Sequence, residues 1–242
     1  MNPSLERIYP DDPQSAELEG AEVIQFHLER YQFAKEHLRP GLIADIACGS
    51  GYGSQLLAST GSTIIAVDSD RDAVEYANLH YPHPSITFLC VDAMDFFWGT
   101  QFQSVVSLET IEHLRDPAGF VKHMSRELAP GGRFIASAPV TPSMDANPYH
   151  LNDFTDKSFR KLFLDCGLKE ITSKLQVQPY KPFQLMKKQG LRQVRKNLLG
   201  YYLRHPSKAF LRMRSVIVDG FKNKYLLVVF EKPFLKLNRS DR

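Results

Sequence analysis

The sequence predicts an α/β protein built on a parallel sheet with helices on both faces. Two observations carry this. Apolar runs of strand length alternate with helical stretches from residue 42 onward, and the links between them are short. Such alternation makes βαβ units, in which a crossover helix returns the chain to a parallel neighbour. The 242 residues, 43% hydrophobic and 24% charged, suffice for one such domain with an addition.

The elements follow in order. Residues 20–38, GAEVIQFHLERYQFAKEHL, place Val23, Phe26, Leu28, Tyr31, Phe33, Ala34 and Leu38 at roughly helical spacing, and Pro40 stops them. A strand over 42–47 leads to a helix over about 51–59, and a strand over 63–67 to a helix over about 71–78. The run 86–90 is a third strand, and 104–108 a fourth, followed by a helix over about 118–128. A strand over 133–137, a helix near 156–166 and a strand near 169–176 complete the alternation. After a long excursion comes KYLLVVFE, 224–231, a continuous apolar run suited to a buried strand.

Composition excludes several classes. No run of about 18 apolar residues exists, and the start MNPSLERIYPDDP is acidic and broken by proline, so neither a spanning helix nor a secretory signal is expected. Cys48, Cys90 and Cys166 are scattered and form no C-x-x-C pair. They read as small buried residues of a reducing compartment rather than as a zinc site or a disulfide framework. The net charge of +3 conceals an asymmetry. Residues 181–214 hold ten of the 30 Lys/Arg and no Asp/Glu, leaving 20 basic against 27 acidic residues elsewhere, a net of −7. A local basic block argues for a local partner.

The stretch DIACGSGYGS, 45–54, joins the first strand to the next helix. Its glycines let ligand atoms approach the backbone. A dinucleotide fold asks for G-x-G-x-x-G, whereas Gly49, Gly51 and Gly53 are spaced G-x-G-x-G, and Ser54 stands where the third glycine belongs. Asp68 ends the run TIIAV, where a carboxylate can accept both hydroxyls of a ribose. Asp92 follows the third strand, placed to accept an exocyclic adenine amine, and the alternative for either acid is a turn or a helix N-cap.

The stretches LIADIACGSGYGSQLL, IIAVDSD, FLCVDAMDF, VVSLETIEHLRDP and ELAPGGRFIASAP, in this order over about residues 40–140, resemble the class I S-adenosylmethionine-dependent methyltransferases. The likeness extends to bacterial glycan- and sugar-associated members and to small-molecule members of the ubiquinone-biosynthesis type. It implies a Rossmann-like, seven-stranded, mostly parallel sheet with an antiparallel last strand. It implies S-adenosyl-L-methionine as cofactor, held by Ala47, Cys48, Gly49 and Gly51, with Asp68 at the ribose. Asp92 and Ala93 would meet the adenine, and Tyr31, Asp45, Ser69, Met94 and Leu108 complete the expected cofactor-binding set. Ala47 departs from the pattern, replacing a glycine common in the first motif.

In an open α/β sheet the chemistry lies beyond the carboxyl ends of the strands. The fourth strand delivers Glu109, Glu112 and His113, and the fifth delivers Asp145, Asn147, Tyr149 and His150. A neutral histidine, with an ordinary pKa of about 6.5, suits proton removal from an acceptor near neutrality, so His113 and His150 are the candidate bases, with Glu109 beside them. The alternative for each histidine is a scaffold role, His150 pinning its loop. Glu109, Glu112 and His113 also resemble the E-x-x-E-H element of small-RNA 2′-O-methyltransferases, which implies Mg²⁺ or Mn²⁺. The same letters occur in many metal-free relatives of the ubiquinone type, so no metal is assigned to the site.

The start LERIYP, with HLERYQFA downstream, resembles the leader of bacterial methyltransferases associated with glycan assembly. That likeness implies that residues 1–40 form an N-terminal helical lid in which Arg30 and Tyr31 reach the methionine carboxylate or seal the pocket, the alternative being a helix packed on the sheet. Residues 41–242 form the methyltransferase domain, with a basic helical insertion over about 180–216. Within it Leu191, Val194, Leu198 and Leu199 sit at helical spacing among Arg192, Arg195 and Lys196. That suits an anionic membrane surface, a phosphate-bearing acceptor or a solvated cover of the substrate cleft. Nucleic acid is the least suited partner, because one basic block in an acidic chain is a thin footprint. The expected protein is a cytoplasmic methyltransferase, peripheral at most to the inner face of the membrane, acting by O- or N-methylation on a small-molecule or glycan-like acceptor. An adenosylmethionine-binding module without catalysis, acting through the basic block, is the alternative of a different class.

Overall fold

The computed structural model of the chain describes residues 8–11, 21–180 and 197–234. Helix α1 (Ala21–His37) precedes strand β1 (Leu42–Ile46), and helix α2 (Tyr52–Ala58) leads to β2 (Thr63–Asp68). Helix α3 (Arg71–His80) leads to β3 (Ile86–Cys90), and β4 (Phe102–Leu108) follows. A 3₁₀ turn (Ile111–His113) and helix α4 (Pro117–Glu127) run into β5 (Leu128–Pro139). Helix α5 (Asp156–Leu164), strand β6 (Lys169–Pro179), helices α6 (Leu198–Arg204) and α7 (Pro206–Asp219), and strand β7 (Lys222–Glu231) finish the chain. Residues 181–196, where part of the expected basic helix falls, lie outside the described residues.

The seven strands form one sheet in the order β3-β2-β1-β4-β5-β7-β6. Strands β1 to β5 pair in parallel, and β7 runs antiparallel between β5 and β6. The apolar run 224–231 is therefore a central strand, buried on both faces. Leu226, Val228 and Phe230 enter one core while Leu227 and Val229 enter the other, the two-residue period of a strand. The first core lies under α4 and α5, with Phe120, Phe159 and Phe163 fully buried. The second lies under α1, α2 and α3, and takes Tyr31, Phe33 and Ala34 from α1. Helix α1 is thus a packed element of the sheet, and residues 8–11 cover the glycine loop.

Strands β5 and β6 run furthest beyond the ends that the sequence predicts. β5 begins at Leu128 because that residue pairs with Phe102 across a bulge, and Gly131, at φ 74°, bends the chain within the strand. β6 reaches Pro179 opposite Lys222, at the sheet edge where a missing N–H costs no ladder bond. The strand order reverses direction between β1 and β4, opening the crevice at the switch point where open α/β sheets bind ligands.

Candidate functional site

The glycine loop is shaped by its own backbone and by the helices behind it. Ala47, Gly49 and Gly51 have φ of 59°, 57° and 90°, all left-handed. Ala47 thus occupies a conformation that costs a Cβ-bearing residue roughly 1–2 kcal/mol, which accounts for glycine being common there. Gly53 serves packing. A Cβ on it would stand 2.0 Å from Tyr31 Cζ, so α2 approaches α1 only because this residue has no side chain. Ser54 donates to the buried Asp45 carboxylate at 2.7 Å, and the Tyr31 hydroxyl lies 3.4 Å from the same group. The departures from a dinucleotide loop therefore serve a polar cluster beneath the loop. Above it, Ser50 donates to the carbonyl of Ile8 at 2.5 Å, while Tyr81 donates to Asp11 at 2.5 Å and Tyr9 packs edge-on against Tyr76.

Over the loop opens a cavity of about 460 Å³, within the range of small-molecule sites. Asp68 is set into its wall by two backbone donors, Gly49 N to Oδ2 and Asp70 N to Oδ1, both at 2.9 Å. Asp92 is exposed at the rim, oriented by Met94 N at 2.8 Å to Oδ1. The cavity wall thus carries an acid at the end of β2, an acid after β3 and a glycine-lined floor.

Arg30 projects from α1 to the cavity with only 2% of its surface exposed. Its Nε donates to Gln176 Oε1 at 3.0 Å and its guanidinium stacks 4.2 Å above the Tyr225 ring. Nη1 lies 3.6 Å from Glu109 Oε2, beyond hydrogen-bond reach, and is buried without a hydrogen-bond partner among the described residues. A buried donor facing a cavity is costly unless an anionic ligand atom satisfies it. Glu109 sits at φ 53°, a left-handed conformation that turns its carboxylate toward Arg30 and the Ser137 hydroxyl, which donates to it at 2.7 Å.

His113 also lines the cavity. Its Nδ1 lies 3.2 Å from the Tyr149 carbonyl, which only accepts; this assigns the proton to Nδ1 and leaves a lone pair on Nε2. The loop carrying Tyr149 is stitched onto the 3₁₀ turn by Leu151 N and Asn152 N, which donate to the Glu112 carbonyl at 2.8 and 3.0 Å. His150 stands edge-on to His113 with ring centroids 4.7 Å apart, its Nδ1 2.7 Å from Ser143 Oγ. Burial, and then the charge of His113, push its pKa down to about 3 against the pull of Asp153.

Of the residues expected at the cofactor, Tyr31, Ala47, Cys48, Gly49, Asp68 and Ser69 line the cavity, as do Asp92, Ala93 and Leu108. Asp45 and Gly51 lie beneath it and Met94 beyond its rim, because the loop itself covers the first two and the turn after Asp92 points the third to solvent. His113 and Glu109 line the cavity and His150 does not, since it packs behind His113. The metal-ligating grouping also differs from expectation. Glu112, His113 and His150, rather than Glu109, Glu112 and His113, bring ligand atoms within 4.8 Å of one another, because the backbone of Glu109 turns its side chain away. His27 and Tyr52 line the cavity unpredicted. The signal for His27 was its spacing of three from Arg30, which sets both on one helix face. Asp145, expected near the chemistry, is instead bound by Arg212 through 2.7 and 2.6 Å contacts.

Known proteins resemble this chain in sequence and fold. The family described as "Methyltransferase domain" matches residues 44–136. A "Probable S-adenosylmethionine-dependent methyltransferase" of Mycobacterium tuberculosis is 28% identical over 160 residues, 62% of this chain and 58% of that protein. A mitochondrial "Ubiquinone biosynthesis O-methyltransferase" of Arabidopsis thaliana is 38% identical over 98 residues, 38% of this chain and 30% of that one. The chain thus spans less than two thirds of the length of these curated relatives. The N-methyltransferase NodS of Bradyrhizobium japonicum, solved in complex with S-adenosyl-L-homocysteine, aligns with a TM-score of 0.57 at 15% identity over 92% of this chain and 89% of its own, which shows a common fold.

Proposed function

We propose, from the premise that residues 44–136 form a methyltransferase domain, that the chain is an S-adenosylmethionine-dependent methyltransferase acting on an oxygen or nitrogen of a small-molecule or glycan-like acceptor. The observation that carries this reading is one cavity lined together by the glycine loop, Asp68, Asp92 and His113. The cofactor supplies a methyl already activated on a sulfonium. The donor set fits it. Asp68 takes the ribose hydroxyls, Asp92 the adenine amine, and the buried Nη1 of Arg30 the methionine carboxylate. Residues 8–11 act as the cover over these contacts, and α1, packed on the sheet, supplies their wall.

The protein's remaining task is to orient the acceptor and remove its proton. Holding two reactants in line supplies effective molarities on the order of 10⁵–10⁸ M in well-oriented systems. His113 accepts the acceptor's proton on Nε2 while Tyr149 holds Nδ1. His150, neutral throughout the physiological range and screened from the cavity, is a positioning residue for the His113 ring. In the His113→Gln variant kcat falls by about 10²–10⁴-fold with cofactor binding retained. Unchanged turnover would remove the base. Calorimetric titration with S-adenosyl-L-homocysteine, with NAD as control, tests the cofactor directly, and binding of NAD alone would overturn the reading.

A second reading is favoured by the cluster Glu112, His113 and His150. One carboxylate and two imidazoles suit Mn²⁺ or Zn²⁺ better than Mg²⁺, and a cation there would lower the pKa of an acceptor hydroxyl such as an RNA 2′-OH. Turnover that survives exhaustive chelation would exclude it.

A further inference from the structure

Helix α7 is built inside out. A helix packed on a domain turns its apolar stripe inward and its charges to water. Here Lys208 and Arg212, one turn apart, point inward, where they pair with Asp153 and Asp145 at 2.6 Å each. Phe210, Met213, Ile217 and Val218 remain exposed, Ile217 with 75% of its surface in solvent. Helix α6 repeats the pattern. Tyr202 turns in to donate to Asp145 Oδ2 at 2.5 Å, while Leu199 and Leu203 stay outside, Leu203 with 77% exposed. Neither helix has a buried residue.

Partly buried ion pairs thus hold the two helices while seven large apolar side chains, Leu211 among them, stay exposed, more than scattered surface hydrophobes account for. The charge pattern selects what covers them. The sequence has no Asp or Glu from 181 to 218. With Lys208 and Arg212 engaged by the loop, Arg204 and Arg214 are the exposed cations of the two helices. A second copy of this face would set these arginines against their own images with no acid to pair them. An anionic bilayer surface satisfies both halves, its acyl boundary taking the apolar side chains and its phosphates the arginines. No described helix is long and apolar enough to cross a membrane, which fits a helix lying in the interface plane.

We infer that α6 and α7 form an in-plane docking surface for an anionic lipid bilayer. The carboxylates that hold the two helices, Asp145 and Asp153, belong to the same loop as Tyr149, which lines the cavity. Docking therefore places the loop that carries Tyr149, one of the cavity's lining residues, next to the membrane-bound helices. The acceptor class that follows is a lipid-linked or amphiphilic molecule; this clause rests on the methyl-transfer reading, whereas the docking does not.

The test is co-sedimentation of the full chain with vesicles of phosphatidylcholine alone and of phosphatidylcholine mixed with phosphatidylglycerol. Binding is expected to the mixed vesicles, weakening as salt rises. The double variant Leu203→Ser, Ile217→Ser is expected to partition about tenfold or more weakly, with its thermal unfolding unchanged. A wild-type chain that ignores anionic vesicles overturns the proposal, as does a double variant that sediments like wild type. Self-association in sedimentation velocity without lipid, abolished by the same variant, assigns the face to a second copy and also overturns it. Vesicle binding with no affinity for S-adenosyl-L-homocysteine overturns the acceptor class and leaves the docking surface standing.

Discussion

Asp45 shows how one side chain can tie the site to the stability of the fold. Fully buried beneath the glycine loop, its carboxyl is pushed from 3.8 up to about 7, chiefly by burial, with Asp68 adding and the hydrogen bonds from Ser54 and Tyr31 opposing. Between those values the folded state holds a proton that the unfolded chain has released, so stability falls as pH rises from about 4 to about 7 and is level above. Asp45→Asn lacks that slope, so its stability relative to wild type rises between about pH 4 and about pH 7. The variant is expected to gain on the order of 2 kcal/mol relative to wild type at pH 8, read from thermal unfolding across a pH series. An unchanged pH slope would place the proton elsewhere. At this scale the contiguous part of the site was legible, because Ala47 to Gly49, Asp68 and Asp92 each terminate a strand whose apolar run is plain in the sequence. The Arg30 environment was not, because Gln176 and Tyr225 meet it from strands about 150 and 200 residues away in the chain.

Elements meet where side chains permit, and α1 meets α2 at Gly53. With Tyr31 ring atoms 2.0 to 2.3 Å from the position of an added Cβ, Gly53→Ala must displace either the helix or the ring. A ring held in a packed core yields poorly, and overpacking of this kind costs roughly 1–3 kcal/mol. Chemical denaturation is expected to show that loss despite the better helix propensity of alanine, and a neutral outcome would mean that Tyr31 swings freely. The central strands were legible from sequence for the reason that makes them stable: buried on both faces, they read as unbroken apolar runs. The first turn of β5 was hidden by its proline and glycines, which signal a turn in isolation and a bent strand only once Phe102 pairs with Leu128. Helix α7 was hidden differently. Its inward face is charged, so hydrophobic periodicity points the wrong way, and only the acids of a loop some 60 residues earlier reveal which side packs.

For the whole molecule, the strand order sets two cores on either side of one sheet and leaves the crevice between β1 and β4 where their carboxyl ends diverge. Groups far apart in the chain converge there, from Ile8 through Arg30 and Asp68 to Tyr149. A ligand seated in that crevice bridges the glycine loop, α1 and the 3₁₀ turn at once, and it has no equivalent site in the unfolded chain. Binding of that kind adds RT ln(1 + [L]/Kd) to the stability of the whole fold, about 2.7 kcal/mol at a hundredfold excess over Kd. For a domain of this size each kcal/mol moves Tm by about 2–4 °C. Saturating S-adenosyl-L-homocysteine is therefore expected to raise Tm by about 5–10 °C, and NAD at the same concentration to leave it in place. Arg30→Met separates the two ends of the site. If its guanidinium holds the cofactor carboxylate, the variant keeps its fold and loses most of the thermal shift, whereas a full shift in the variant would mean that the buried Nη1 serves the acceptor.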